Sequence, residues 1–212
     1  MEQAAIAPPA GGAHASTPVH AGHGEHETST GVTNTKLAMW IFLSSECLLF
    51  GALIATYLLY RGRSKGIEPA DVYNIPFTSA TSFILLMSSL TMVLALAAIQ
   101  RADYRRTKIW LVATALFGMV FIGGQVYEFT EFTRKGVTVD TNLFGSSFYL
   151  LTGLHGLHVT VGIVWLLSLW GLTTQGRLQQ KDSETIEISG LYWHFVDVVW
   201  IVIFTVVYLI PM

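Results

Sequence analysis

Long apolar runs separated by short polar segments form the main pattern of this chain. A helix rises about 1.5 Å per residue, so about 20 apolar residues cross the roughly 30 Å hydrocarbon core of a bilayer. Five runs reach that length: 37–60, 78–99, 109–129, 146–172 and 191–210. Lipid cannot hydrogen-bond to exposed backbone groups, and the runs are too long for barrel strands. The pattern therefore predicts an all-α, polytopic membrane protein, a bundle of five transmembrane helices.

The N-terminal segment breaks this pattern. Residues 1–35 are rich in Ala, Gly, Pro, Thr and His and contain no apolar run long enough to fold or insert. They also lack the basic start and apolar stretch of a secretory signal. We therefore predict a disordered polar tail, 1–35, followed by a five-helix transmembrane domain, 36–212.

Composition narrows the class of protein and its partners. Of the 212 residues, 52% are hydrophobic and only 12% are charged, against about a quarter charged in soluble domains. The net charge of −2 provides no basic excess to neutralise a phosphate backbone, so we expect no nucleic-acid partner. The single cysteine, Cys47, lies in an apolar run, and we interpret it as a small packed hydrophobic residue.

Basic residues near the ends of the runs predict the orientation, because Lys and Arg favour the cytoplasmic side. With the N-terminus inside, the cytoplasmic side carries seven of them: Lys36, Arg101, Arg105, Arg106, Lys108, Arg177 and Lys181. The opposite side carries five: Arg61, Arg63, Lys65, Arg134 and Lys135. The sequence therefore predicts a cytoplasmic N-terminus and an external C-terminus.

Ionisable residues inside the runs are candidates for function, since each costs a few kcal/mol to insert. Glu46 lies about 13 Å along the first helix, near mid-membrane. His155 and His158 share a face of the fourth helix, and Gly162 on that face would admit a neighbouring helix closely. We expect one of these histidines to hydrogen-bond Glu46. Such a pair would suit proton handling or serve only to hold helices together, and the sequence leaves both open.

Two further groups of polar residues lie nearer the ends of the predicted helices. His194 and Asp197 repeat the three-residue spacing at the start of the fifth helix, where Asp197 would accept a hydrogen bond from His194 or bind a cation of another helix or chain. Glu128 lies at the far end of the third helix, and we expect it to be interfacial and solvated. It is therefore a secondary candidate.

The same inventory bears on metal and haem chemistry. Three histidines within the runs and several carboxylates are enough in number for a di-metal site, but Glu128 and His194 are predicted at opposite faces of the membrane. Two haems and a copper would need about twice as many histidines, and a dicopper centre would need a cysteine pair. We therefore expect no catalytic residue, metal ligand or cofactor in this chain.

Several motifs resemble subunit III of the haem-copper oxidases. The fourth helix carries T-G-L-H-G-L-H-V-T-V-G at 152–162, and the fifth carries Y-W-H-F-V-D-V-V-W at 192–200. S-S-E at 44–46 and Q-V-Y-E-F at 125–129 extend the resemblance from the first helix to the C-terminus. The five helices are similar to the bacterial form of this family, whose larger members have seven.

The resemblance implies an accessory subunit of a proton-pumping oxidase in the bacterial cytoplasmic membrane. It would pack against catalytic subunit I, other oxidase subunits and membrane lipids. Haem and copper would be held by the partner subunits. Glu46 matches the family's intramembrane carboxylate, which is linked to proton uptake and reacts with carbodiimide in some members. His155, His158, His194 and Asp197 match signature positions. The electron donor, cytochrome c or quinol, stays open.

Two other classes of function fit the residues without the resemblance. One is a stand-alone membrane metalloenzyme built on the histidines and carboxylates. The other is a proton-coupled transporter that uses Glu46 and the histidine pair, although the five runs show no internal repeat of the kind many transporters contain.

Overall fold

The computed structural model describes residues 31–61, 74–136 and 143–210 of the chain. The tail predicted for 1–35 falls outside this part except at its last residues, and the compact helical unit begins at Thr35. The helices are α1 (Asn34–Arg61), α2 (Ile75–Gln100), α3 (Tyr104–Arg134), α4 (Leu143–Thr174) and α5 (Ser183–Phe204). All five are long and apolar enough to cross a membrane. Across the described residues there is no strand, and the five-helix prediction is confirmed.

The ends of α2 and α3 follow from local sequence. Asn74 caps α2, its side chain accepting a hydrogen bond from the Phe77 backbone N–H at 3.3 Å. Asp103 caps α3 in the same way, accepting from the Arg106 N–H at 3.0 Å. Residues 101–103 alone join the two helices, with Ala102 in the left-handed region at φ 57°. So short a connection makes α2 and α3 antiparallel neighbours.

The fifth helix begins earlier than its apolar run. It starts at Ser183, preceded by a 3₁₀ turn at Gln180–Asp182, and carries Glu184 in its first turn, where the helix dipole favours an acid. Hydropathy placed the start at 191 because these first turns are polar. His194 and Asp197 consequently lie about 16 and 21 Å into the helix. The prediction that they lie at the start of the helix was wrong; they lie near its middle.

Two tryptophans of α5 join it to α2. The indole N–H of Trp193 donates to Ser88 Oγ at 2.8 Å, and that of Trp200 donates to Ser82 Oγ at 2.8 Å. Both tryptophans and both serines are buried. Because Trp193 pairs with Ser88 and Trp200 with Ser82, the partners run in opposite directions along the two helices, and α5 lies antiparallel to α2 in one fixed register.

Two glycines make room for the ring of Trp193. A Cβ added at Gly162 would come within 2.8 Å of the Trp193 ring, and one added at Gly118 within 2.7 Å. Trp193 therefore occupies a space between α3 and α4 that exists only because both helices carry glycine there. The close approach predicted at Gly162 is confirmed.

Helix α1 contacts the rest of the bundle along one narrow seam. Its buried apolar residues, Leu43, Phe50 and Tyr57, recur every seven positions, which is the spacing of a coiled-coil seam. Leu48 is 77% exposed, and Cys47 is exposed beside it. The interpretation of Cys47 as a small packed hydrophobic residue was wrong within this chain, because Cys47 is exposed on the side of α1 that faces away from the bundle.

Candidate functional site

The predicted contact of Glu46 with the α4 histidines is made by His158. Glu46 Oε2 lies 3.1 Å from His158 Nε2, and each side chain is 14% exposed. Both residues lie near the middle of their helices, Glu46 about 18 Å and His158 about 23 Å from the helix start. The pair therefore joins α1 to α4 at mid-membrane depth.

Hydrogen bonding determines how many protons this pair holds. The other ring nitrogen of His158, Nδ1, lies 2.9 Å from the Leu154 carbonyl oxygen. A carbonyl only accepts, so Nδ1 carries a hydrogen. One proton is then needed between Nε2 and Oε2, either as a carboxylic acid donating to imidazole or as an imidazolium donating to carboxylate. Without that proton, two lone pairs would face each other.

The pair borders a cavity between α1, α4 and α5. The cavity has a volume of about 390 Å³ and is lined mainly by apolar and aromatic side chains: Met39, Phe42, Leu157, Val161, Trp165 and Tyr192, beside Glu46 and His158. Tyr192 donates its hydroxyl to the His158 carbonyl oxygen at 2.9 Å. Phe50 packs edge-on against the His158 ring at 5.1 Å between centroids. The imidazole is thus held in orientation while its carboxyl partner adjoins open space.

Ser44 and Ser45 do not join this pair. Each donates to a backbone carbonyl of its own helix, Ser44 to Trp40 at 2.8 Å and Ser45 to Phe42 at 2.7 Å. Their place beside Glu46 in the sequence therefore does not make them its partners.

His155 is turned into the bundle, away from Glu46. It is fully buried, and its Nε2 lies 3.2 Å from the Val196 carbonyl oxygen. Its ring lies 4.8 Å from Trp200 and 5.8 Å from Phe121 between centroids. Nδ1 is buried and has no hydrogen-bond partner among residues 31–61, 74–136 and 143–210. With a single carbonyl contact in an aromatic enclosure, His155 suits a neutral packing residue that joins α4 to α5.

His194 and Asp197 meet through a residue that the sequence did not indicate. Ser89 of α2 lies with its Oγ 3.0 Å from His194 Nδ1, and it donates its hydroxyl to Asp197 Oδ2. Asp197 is buried and His194 partly buried. The polar pair of α5 is therefore bridged by Ser89 of α2, and none of these described hydrogen bonds reaches Glu46 or His158.

Glu128 lies inside the bundle, and the expectation that it is solvated was wrong. It is only 6% exposed. Thr78 donates to its Oε1 at 2.8 Å and Tyr208 to its Oε2 at 3.0 Å. Helix α3 continues six residues beyond it, to Arg134, so Glu128 does not reach the surface. It joins α3 to the start of α2 and to the last turn of the chain.

Sequence reasoning missed the hydroxyl-bearing partners Thr78, Ser82, Ser88 and Ser89. A signal was present: these residues recur along one side of α2 within an otherwise apolar run. Single hydroxyls are common in transmembrane helices, where they usually bond their own backbone. Only the placement of α2 beside α5 and α3 shows which of them bind other helices.

No metal centre can be assembled from the described side chains. Across residues 31–61, 74–136 and 143–210, no group of three or more His, Cys, Asp or Glu side chains is placed to hold a metal ion. Glu46 with His158, and Asp197 with His194, are separate clusters.

Comparison with known proteins identifies the family. The family model described as cytochrome c oxidase subunit III matches residues 19–211. A cytochrome c oxidase subunit 3 of Bacillus sp. (strain PS3) is 38% identical over 84% of this chain and 87% of its own length. A quinol oxidase subunit 3 of Bacillus spizizenii is 38% identical over 90% of this chain and 96% of its own length. A probable quinol oxidase subunit 3 of Staphylococcus saprophyticus is 39% identical over 84% and 89%. With nearly the whole transmembrane region matched, this chain belongs to the cytochrome c oxidase subunit III family.

Proposed function

We propose that this chain is an accessory, cofactor-free subunit of a proton-pumping haem-copper oxidase in a bacterial cytoplasmic membrane. It would pack against catalytic subunit I, whose haem and copper reduce oxygen to water, and against membrane lipids. Relatives named for cytochrome c oxidase and for quinol oxidase are both 38% identical to it. Overall identity therefore does not discriminate between the two electron donors.

The contact between Glu46 and His158 carries the proposed role in proton uptake. The two atoms facing each other at 3.1 Å need one shared proton, and the carboxyl group borders a cavity. With that proton the pair is neutral overall, so passing it on leaves a net negative charge in the membrane until another proton replaces it, and this couples release to uptake. We propose that the pair buffers protons beside the uptake route of the catalytic subunit.

The proposed orientation places the N-terminus in the cytoplasm. The turn between α2 and α3 supports it, because Arg101, Arg105 and Arg106 are exposed there and Lys108 partly so. Single cysteines at Arg105 and at Arg134, introduced after Cys47→Ser, would test this with an impermeant thiol reagent in spheroplasts. Labelling at 134 and protection at 105 are expected; the reverse would show the opposite orientation.

Purification tests the assignment to an oxidase. The complex is extracted in mild detergent through a tag on this chain, and haem is measured by absorbance. A haem-bearing subunit is expected in stoichiometric amount. If the chain is recovered intact without haem, the proposed function is wrong.

The variant Glu46→Gln tests the role of the pair. It keeps size and hydrogen bonding to His158 but cannot exchange the shared proton. We expect normal assembly, a lower rate of oxygen consumption and faster loss of activity during turnover, most clearly at high pH, where protons are scarce. Glu131→Gln is the matched control, since the ion pair that the Glu131 side chain makes within the described residues, with Arg134, is exposed. Equal turnover and lifetime for both variants would leave Glu46 a purely structural residue.

A further inference from the structure

A second polar cluster lies near mid-membrane, on the α2 side of α5. It comprises Ser89, His194 and Asp197, and it has no bond to Glu46 or His158 among its described contacts. Ser89 lies about 21 Å into α2, and Asp197 lies at a similar depth in α5. The cluster therefore sits in the hydrocarbon region, where polar groups need a reason to be present.

The hydrogen bonds of this cluster have a defined order. Ser89 has one hydroxyl hydrogen, and it is donated to Asp197 Oδ2. His194 Nδ1, 3.0 Å from Ser89 Oγ, must then be the donor in its own contact. The result is a continuous chain of hydrogen bonds, in which the imidazole donates to the hydroxyl and the hydroxyl donates to the carboxylate.

Asp197 is incompletely satisfied at the inner end of this chain. Its side chain is 2% exposed. Its second oxygen, Oδ1, is buried and finds no hydrogen-bond partner in the described part of the chain. A single hydrogen-bond donor offsets little of the cost of burying a charged carboxylate in an apolar bundle, whereas a neutral carboxylic acid costs much less to bury. The site thus favours the gain of a proton.

We propose that Ser89, His194 and Asp197 form a proton relay. The relay takes up one proton at His194 and holds it on the carboxyl group of Asp197. A proton bound at Nε2 of His194 releases the Nδ1 hydrogen to Ser89 Oγ, and the Ser89 hydrogen passes to Asp197 Oδ2. The serine then donates to Nδ1. One proton enters, one carboxylic acid forms, and only N–H and O–H bonds change. His194 is the entrance, because it is the partly exposed member beside the fully buried acid.

Infrared spectroscopy of the purified oxidase complex tests this relay. The carbonyl stretch of a protonated carboxyl group is followed after transfer from H₂O to D₂O. Asp197→Asn is expected to remove one such band that Glu46→Gln leaves in place. Survival of every protonated-carboxyl band in Asp197→Asn would overturn the proposal. The result does not depend on the role proposed for Glu46, whose own test measures turnover.

Two variants separate a relay from simple helix contacts. His194→Asn keeps an N–H near the position of Nδ1, so Asp197 stays in place, but it cannot pass a proton. Ser89→Ala removes the bridging hydroxyl and serves if the first variant does not assemble. Either is expected to slow deuterium exchange of the band on the order of tenfold or more. Ser168→Ala is the control, because its exposed hydroxyl donates to the Val164 carbonyl oxygen of its own helix. Exchange as fast as in the unaltered complex would overturn the relay.

Discussion

Arg61, the last residue of α1, donates to the Val206 carbonyl oxygen at 2.8 Å. Its guanidinium also donates to the carbonyl oxygen of Ile210. Both carbonyls belong to the irregular turn Thr205–Leu209 and its cap, which end the fifth transmembrane segment. The last carbonyls of a helix lack intrahelical partners, and a cation there is also favoured by the helix dipole. One residue therefore attaches the loosely packed α1 to the end of α5.

Replacing Arg61 is expected to loosen α1. Arg61→Gln should lower the free energy of unfolding by about 1.5–3 kcal/mol, the usual range for a hydrogen bond to a charged group. Thermal denaturation in detergent and proteolysis of α1 would measure it. Lys36→Gln, which breaks the more exposed Lys36–Glu187 pair of 2.9 Å, should cost about 0–1 kcal/mol. Equal losses for the two variants would contradict the role given to Arg61.

Gly162→Ala should destabilise the bundle by about 1–3 kcal/mol, as overpacking does. The new methyl group would lie 2.8 Å from a ring atom of the buried Trp193, and the indole cannot move without losing its bond to Ser88. Gly171→Ala, on the same helix and with no atom within 4 Å of the added Cβ, is the control. A melting temperature for Gly162→Ala equal to that of the control would refute the packing argument.

Glu128→Ala should be more harmful than Tyr208→Phe. The first change removes the acid to which the Thr78 and Tyr208 hydroxyls donate. Thr78 keeps the Asn74 carbonyl oxygen, 3.1 Å from its hydroxyl, as an acceptor, and the loss of the buried carboxyl contacts is expected to cost about 1–3 kcal/mol. The second removes one donor, and Thr78 still satisfies the acid at 2.8 Å. Chemical or thermal denaturation of both variants would rank them. The opposite order would mean that Glu128 is solvated after all.

A double-mutant cycle should detect coupling between Glu46 and His158. Residues in direct hydrogen-bond contact show interaction energies of about 0.5–3 kcal/mol, whereas independent positions add to within about 0.5 kcal/mol. Glu46→Ala with His158→Ala should fall in the first class. Glu46→Ala with His155→Ala should fall in the second, because His155 bonds instead to Val196 of α5. Additivity in both cycles would contradict the contact.

The helical spans could be read from the sequence because the membrane acts on contiguous residues. Each run of about 20 apolar residues must form its own backbone hydrogen bonds in lipid, whatever the rest of the chain does. The caps at Asn74 and Asp103 are equally local. The start of α5 was not apparent from hydropathy, because its first turns are polar and lie outside the apolar run.

The sequence alone thus determined that the protein has five membrane helices, that Glu46 lies near mid-membrane and that a histidine of α4 could reach it. Only the tertiary structure decided that the histidine is His158, that Ser89 joins His194 to Asp197, and that Glu128 is buried. These outcomes depend on how each helix is rotated about its axis. That rotation is set by packing between residues distant in the chain, such as Trp193 against Gly118 and Gly162. Periodicity along a single helix shows which residues share a face, and the surrounding helices determine what that face meets.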